Sequence, residues 1–243
     1  MSEDQPAAEP ARPAEPPPVP RRHDNVWREI AIVVIGVFIA LIAQQLVDEW
    51  QWRQKVASAK QAMNEELLWD DGPQIVQRAA MHDCLVRQAA AIRDAVETDQ
   101  PRAEVWRRID GYWLQPVTYD TVAHDAATAS DIASHLTLDE MRPYTLAYGT
   151  MPAYSRAADD EVANLARLHA LRRTGAALSE AESSNLLMAL EYLRQDEQLI
   201  AEGTRWTIPQ IVKLGRIDPV RTGHFIDEAR RHYGDCVHQP RFL

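Results

Sequence analysis

Glycine is scarce in this chain, with nine residues in 243. Loops that cradle phosphates, and the tight turns of parallel βαβ units, depend on glycine, and neither GxGxxG nor GxxxxGK[ST] occurs. No cofactor motif of that kind is therefore on offer. Cysteine is nearly absent as well. Cys84 and Cys236 are the only two, too few for a disulfide-framework miniprotein but enough for one bridge in an oxidising compartment. Positive excess is missing too: the formal net charge is -10. It divides as -2 over residues 1–29 (four Arg against six Asp/Glu), zero over 30–47, and -8 over 48–243 (22 Lys/Arg against 30 Asp/Glu). A chain acidic in both charged parts has no electrostatic footprint for nucleic acid. The Arg pairs at 107–108 and 172–173 sit among acids and read as solvated helix face. HExxH and GxSxG are absent, and so is any sustained apolar–polar alternation that would call for a sheet.

What is present begins with proline. Residues 1–20 hold seven of the fifteen prolines and one large aliphatic residue, Val19. Such a segment cannot bury enough apolar surface to offset its ordering entropy, so residues 1–24 read as a disordered tail. Next comes "REIAIVVIGVFIALIAQQLVDEW". Ile30 to Val47 is 18 residues without a charge, and the first fourteen, to Ala43, contain no polar side chain. At about 1.5 Å per residue the run spans roughly 27 Å, close to the hydrocarbon thickness of a bilayer. Trp27 flanks one edge, Trp50 and Trp52 the other, where interfacial aromatics belong. A cleaved signal wants small residues at the third and first positions before the cut; the best candidate, Leu41-Ile42-Ala43, offers leucine. The apolar pattern also runs on through Trp52, Val56, Ala59, Met63 and Leu67. Residues 25–70 thus read as one helix, a transmembrane span (30–47) continuing into a stalk. Arg21, Arg22 and Arg28 balance Arg53, Lys55 and Lys60, and the arginines nearest the run favour a cytoplasmic N-terminus.

Gly36 and Ala40 are four apart in this run, and Gln44 continues the same face. In lipid, small residues allow close helix approach and an amide can bond across the contact. A homodimer through Gly36, Ala40 and Gln44 is the partner the anchor suggests, beside the bilayer itself.

From 71 to 243 the spacing predicts a helical soluble domain. Gly72 and Pro73 stop the stalk, and Ile75, Ala79, Val86, Ala89, Ile92 and Val96 define a second helix. A short third helix turns Val105, Trp106 and Ile109 inward. Tyr119 to Leu136 forms another, on Val122, Ala126, Ala129, Ile132 and Leu136. Thr137 and Ser179 each open a capping box. The first leads a segment broken near Pro143 and Pro152 that resumes through Val162, Leu165, Leu168 and Leu171 to Gly175. The second leads a helix through Leu186, Leu190, Leu193 and Ile200 to a stop at Gly203. A last helix runs from Thr222 to Tyr233. The fold class is all-α: an N-terminal transmembrane helix and stalk, then a multi-helix bundle.

His82-Asp83-Cys84 and Cys236-Val237-His238 mirror each other as H-x-C and C-x-H. As a zinc or copper set they fail locally, because residues two apart on a helix diverge. A Cys84–Cys236 disulfide is the expectation; two free thiols remain the other alternative, and no metal site is assigned. His124 with Asp120, Asp125 and Tyr119 is the one grouping with acid–base potential, although a solvated or capping histidine accounts for it, and no catalytic residue is assigned.

"WREIAIVVIGVFIAL" resembles the opening of a group of poorly characterised bacterial single-pass membrane proteins, W-R-E-I-x-I-V-x-x-G-V-x-I-A-L. In that group a Tyr-Asp element starts a helix, and Tyr119-Asp120 is similar; where the group carries Gly-Leu some ten residues later, Asp131-Ile132 stands here. The resemblance implies membrane attachment and a helical extracytoplasmic domain, and no activity. Together these readings lead to a non-catalytic, membrane-tethered domain in the periplasm of a bacterium, working through an unknown envelope protein. The alternatives are a ligand-binding or sensing domain that signals through a partner, since a 29-residue tail holds no output domain, and a membrane-anchored hydrolase or transferase.

Overall fold

Where glycine and proline interrupt the helical pattern, the chain does not always stop. The computed structural model describes residues 23–115, 117–170 and 177–238. Its helices are α1 (His23–Glu65), α2 (Gly72–Glu97), α3 (Arg102–Asp110), α4 (Val122–Ala129), α5 (Leu138–Tyr148), α6 (Met151–Ala170), α7 (Glu180–Leu214) and α8 (Pro219–Tyr233). The described residues are 86% helical, and no strand occurs among them. The all-α reading holds. The expected Gly175 stop lies outside the described residues, as do Arg172 and Arg173 and most of the proline-rich tail.

The chain divides into two compact units, Met1–Gln51 and Trp52–Leu243. In the first, the described part is helix α1 up to Gln51, whose large apolar side chains are all exposed. It contains the one stretch among the described residues that is long and apolar enough to cross a membrane, with none of that stretch buried.

In the second unit the expected stop at Gly72 does not occur. Residues Glu66–Asp71 widen into a π-helical turn and α2 follows directly. The physical reason lies in four carbonyls. Pro73 has no N–H to give and its ring crowds the carbonyl one turn back. The Gly72 N–H donates to the Leu67 carbonyl instead. The Leu68 carbonyl accepts from the Asp218 N–H at 2.9 Å, the Trp69 carbonyl from Arg221 Nη1 at 3.0 Å, and the Asp70 carbonyl from Gln74 Nε2 at 3.2 Å. The Arg221 guanidinium also pairs with the Asp70 carboxylate. Residues some 150 positions away thus satisfy what the proline left open. Only glycine fits at 72, since a Cβ there would lie 2.5 Å from the Leu67 carbonyl oxygen.

Helix α7 is the hub. It packs on α2, α5 and α6, while α8 packs on α2. Its buried side is a seven-residue repeat through Leu186, Leu190, Leu193, Glu197, Ile200, Thr204, Thr207 and Ile211. The expected stop at Gly203 is overturned, because α7 runs on to Leu214. Gly203 serves close approach: a Cβ there would sit 2.4 Å from the Tyr154 ring. Tyr154 crosses at that notch and its hydroxyl shares a hydrogen bond with Thr207 at 2.9 Å.

The helix read over Tyr119–Leu136 is also corrected. α4 covers only Val122–Ala129, Tyr119 lies in the extended stretch before it, and a 3-10 turn at Ile132–His135 follows. The buried position is Ala127, and Val122 is 72% exposed. Asp131 divides the two turns with φ of +60°, a left-handed geometry that glycine adopts freely and aspartate tolerates. Both capping boxes form, Thr137 with Glu140 and Ser179 with Glu182. Pro152 sits at the second residue of α6, where a missing N–H costs nothing.

Candidate functional site

Helix α2 carries Asp71 just before it, then Arg78 seven residues on and His82 four beyond that, a spacing that aligns the three on one face. The bundle buries this face. The Arg78 side chain is 1% exposed, and the two carboxylates that meet its Nη2, Glu161 of α6 and Glu197 of α7, are each 3% exposed. The Glu161 contact is 2.5 Å, and Glu197 binds the same nitrogen. Glu197 also meets His82 Nδ1 at 3.0 Å through its other oxygen, Oε1. One guanidinium therefore ties three helices together, with His82 at its outer edge.

Other buried polar groups continue the column. The Asp71 carboxyl accepts the Asp120 N–H at 3.2 Å, so the Tyr-Asp element is held by the π-helical turn. Glu66 caps α4 from a distance, accepting the Ala123 N–H at 2.9 Å, where Thr121 makes no cap. Gln77 Nε2 reaches Gln115 at 2.7 Å and the Phe225 carbonyl at 3.0 Å. Several buried atoms have no hydrogen-bond partner among the described residues: Arg78 Nε and Nη1, Asp71 Oδ2, Gln77 Oε1, Glu66 Oε1, Trp106 Nε1 and the Tyr119 hydroxyl. Burial shifts the acids. Asp71 is pushed up to about 8 by desolvation, only partly offset by its bond from Asp120. Glu161 is also pushed up to about 8, by desolvation against the opposing pull of Arg78, with Glu197 adding to the rise. His82 is raised by its hydrogen bond to Glu197, against desolvation.

The residues singled out in the sequence fall elsewhere. Cys84 and Cys236 are joined in the structure, with Cα atoms 5.7 Å apart and a sequence separation of 152. The bridge ties the turn after α8 to α2, and Arg87 Nη2 lies 2.6 Å from Cys236 Sγ. His82 turns to Glu197 while Cys84 turns to Cys236 and His238 is exposed, so the H-x-C and C-x-H pairs do not converge. His124 stacks on Tyr148 with ring centroids 4.7 Å apart and meets Asp125 at 3.4 Å on the surface. Asp120 is exposed and Tyr119 buried, so these four do not form a site. Gly36, Ala40 and Gln44 are exposed, and nothing lies within 4 Å of a Cβ built at Gly36.

Sequence reasoning passed over the Arg78 centre. The signal was present: Glu197 occupies a core position of the α7 repeat, and Glu161 lies on the Tyr154–Leu168 face of α6. Of the residues on which α6 was read, Val162 is 45% exposed, and Glu161 beside it is buried.

No protein-family model, curated protein or solved structure matches this chain at a significant level.

Proposed function

We propose that this protein is a single-pass membrane protein whose helical domain works in the bacterial periplasm through contacts with an envelope protein rather than through catalysis. The observation that carries the reading is the run Ile30–Val47, an uncharged helix with every large apolar side chain exposed. Water does not tolerate an apolar surface of that extent, and a bilayer core requires it. The paired cysteines fit an oxidising compartment, and Arg21, Arg22 and Arg28 fit a cytoplasmic N-terminus. Buried acids and a buried guanidinium tied to one another support a structural use of the polar core. Gly36, Ala40 and Gln44 supply the contact through which two anchors pair.

The test has three parts. A reporter active only when exported, fused after Leu243, is active, and the protein stays in membranes through an alkaline carbonate wash. Release by the wash removes the anchor, and an active cytoplasmic reporter with a silent exported one reverses the orientation. Crosslinking in intact cells followed by pull-down recovers a discrete envelope protein in stable ratio. Gly36→Ile abolishes self-association of the anchor in a membrane two-hybrid assay while Val34→Leu does not, and equal signals would make the spacing incidental.

A further inference from the structure

Charge does not balance at the Arg78 centre. One guanidinium faces two carboxylates, and all three side chains are withdrawn from water. A carboxylate left without a counter-charge in such a place takes up a proton rather than remain ionised. Among the described residues, no second Arg or Lys pairs with these two carboxylates. From the stretch between α3 and α4 come the phenols of Tyr112 and Tyr119, and from α8 that of Tyr233, all sensing the centre and all held neutral by burial. On α6 and α7 the acids Asp160 and Asp196 repel one another, and just before α2 lies the Asp71 carboxyl. Among the described residues the titratable base in contact is His82, whose side chain is 27% exposed. It opens on a cleft of about 360 Å³ lined with Val86, Gln198, Glu202 and Arg205. Asp83 and Arg205 act on His82 with opposite sign, and Arg194, also at that cleft, is held by Glu191.

We propose that the Arg78 centre is a proton-binding site. It holds one proton beyond the ordinary ionisation of its groups, on the Glu161–Glu197 pair, and exchanges it with water through His82. Losing that proton at alkaline pH leaves a bare negative charge between α2, α6 and α7 and loosens their packing. No bond other than those to the proton is made or broken; the proton passes from the carboxyl to His82 Nδ1, and from the ring to water.

The sign follows from the direction of the shifts. A group whose folded value lies above its unfolded one stabilises fully below the unfolded value and loses that contribution as pH rises through the folded one. For Glu161 the window runs from 4.5 to about 8, and for His82 it lies above 6.5. Asp71 shares the window, from 3.8 to about 8, and must be separated from the centre.

The experiment uses the full chain in detergent micelles. The thermal midpoint of the wild type falls by about 5 °C or more between about pH 6 and about pH 9. Asp71→Asn removes part of the fall. Adding Glu161→Gln, which keeps the shape of the neutral acid, removes most of what is left. A flat wild-type profile, or an equal fall with and without Glu161→Gln, overturns the proposal. A second readout needs no change at the centre: the infrared band of a buried protonated carboxyl is present in the Asp71→Asn protein at neutral pH and disappears on alkaline titration. Its absence at neutral pH overturns the proposal whether or not the Glu161→Gln protein folds.

Discussion

Two helical stretches of this chain invert the usual rule of burial. The run Ile30–Val47 has no charge and is exposed throughout. Helix α2, with the π-helical turn before it, buries Asp71, Gln77 and Arg78 and leaves Val86 at 41% exposure. Hydrophobicity alone would have put the first inside and part of the second outside. The difference teaches that burial answers to what surrounds a side chain, not to its type. Arg78 is interior because Glu161 and Glu197 arrive with it. None of the first run is buried among the described residues, and its composition suits lipid rather than water.

The largest expected effect breaks the buried half of that comparison. Arg78→Leu strands two acids without a cation and destabilises the domain by about 3–5 kcal/mol, read as a lower midpoint in denaturant. If pairing is the reason for burial, the triple variant Arg78→Leu, Glu161→Leu, Glu197→Leu recovers most of the loss; a triple variant as weak as the single one would contradict the argument. Replacing Cys84 and Cys236 by alanine comes next, at roughly 2–5 kcal/mol on the chain-entropy account of a long loop, measured against wild type in non-reducing buffer. The exposed half is broken by Val37→Arg, which costs about 2.5–3.5 kcal/mol at the centre of a membrane span. That variant is expected to shift toward the carbonate-soluble fraction with its thermal midpoint unmoved. Equal membrane retention would argue against lipid around the run.

Two smaller changes and one control sharpen the comparison by testing backbone fit rather than charge. Gly203→Ala pushes a methyl into the Tyr154 ring and lowers stability by about 1–3 kcal/mol. Val162→Ala, on the neighbouring exposed face of α6, changes it by less than about 0.5 kcal/mol. Asp131→Gly relieves the left-handed residue at φ of +60° and raises stability by about 0.5–1 kcal/mol, seen as a small upward shift of the melting curve.

The legible parts of the molecule were those governed by neighbours in sequence. The capping boxes at Thr137 and Ser179 need four consecutive residues, and the inward face of α3 needs one turn and a half. The misread parts depended on distant partners. Gly72 and Pro73 look like a stop until Asp218 and Arg221 are known to fill the freed carbonyls. Gly203 looks like a cap until Tyr154 is known to cross there. Tyr119 to Leu136 has helical spacing, yet Asp71 and Glu66 hold its first residues and cap a shorter helix.

By itself the sequence determined the all-α class and the uncharged run of eighteen residues. Both follow from composition and periodicity, which act over one or two turns and need no partner. Only the tertiary structure decided that a proline-bearing junction stays helical, that Cys84 lies beside Cys236, and that Arg78 is enclosed by two glutamates. Each of these rests on groups far apart in the chain. Their desolvation is tolerable only when the partners are already in place, and packing alone supplies them.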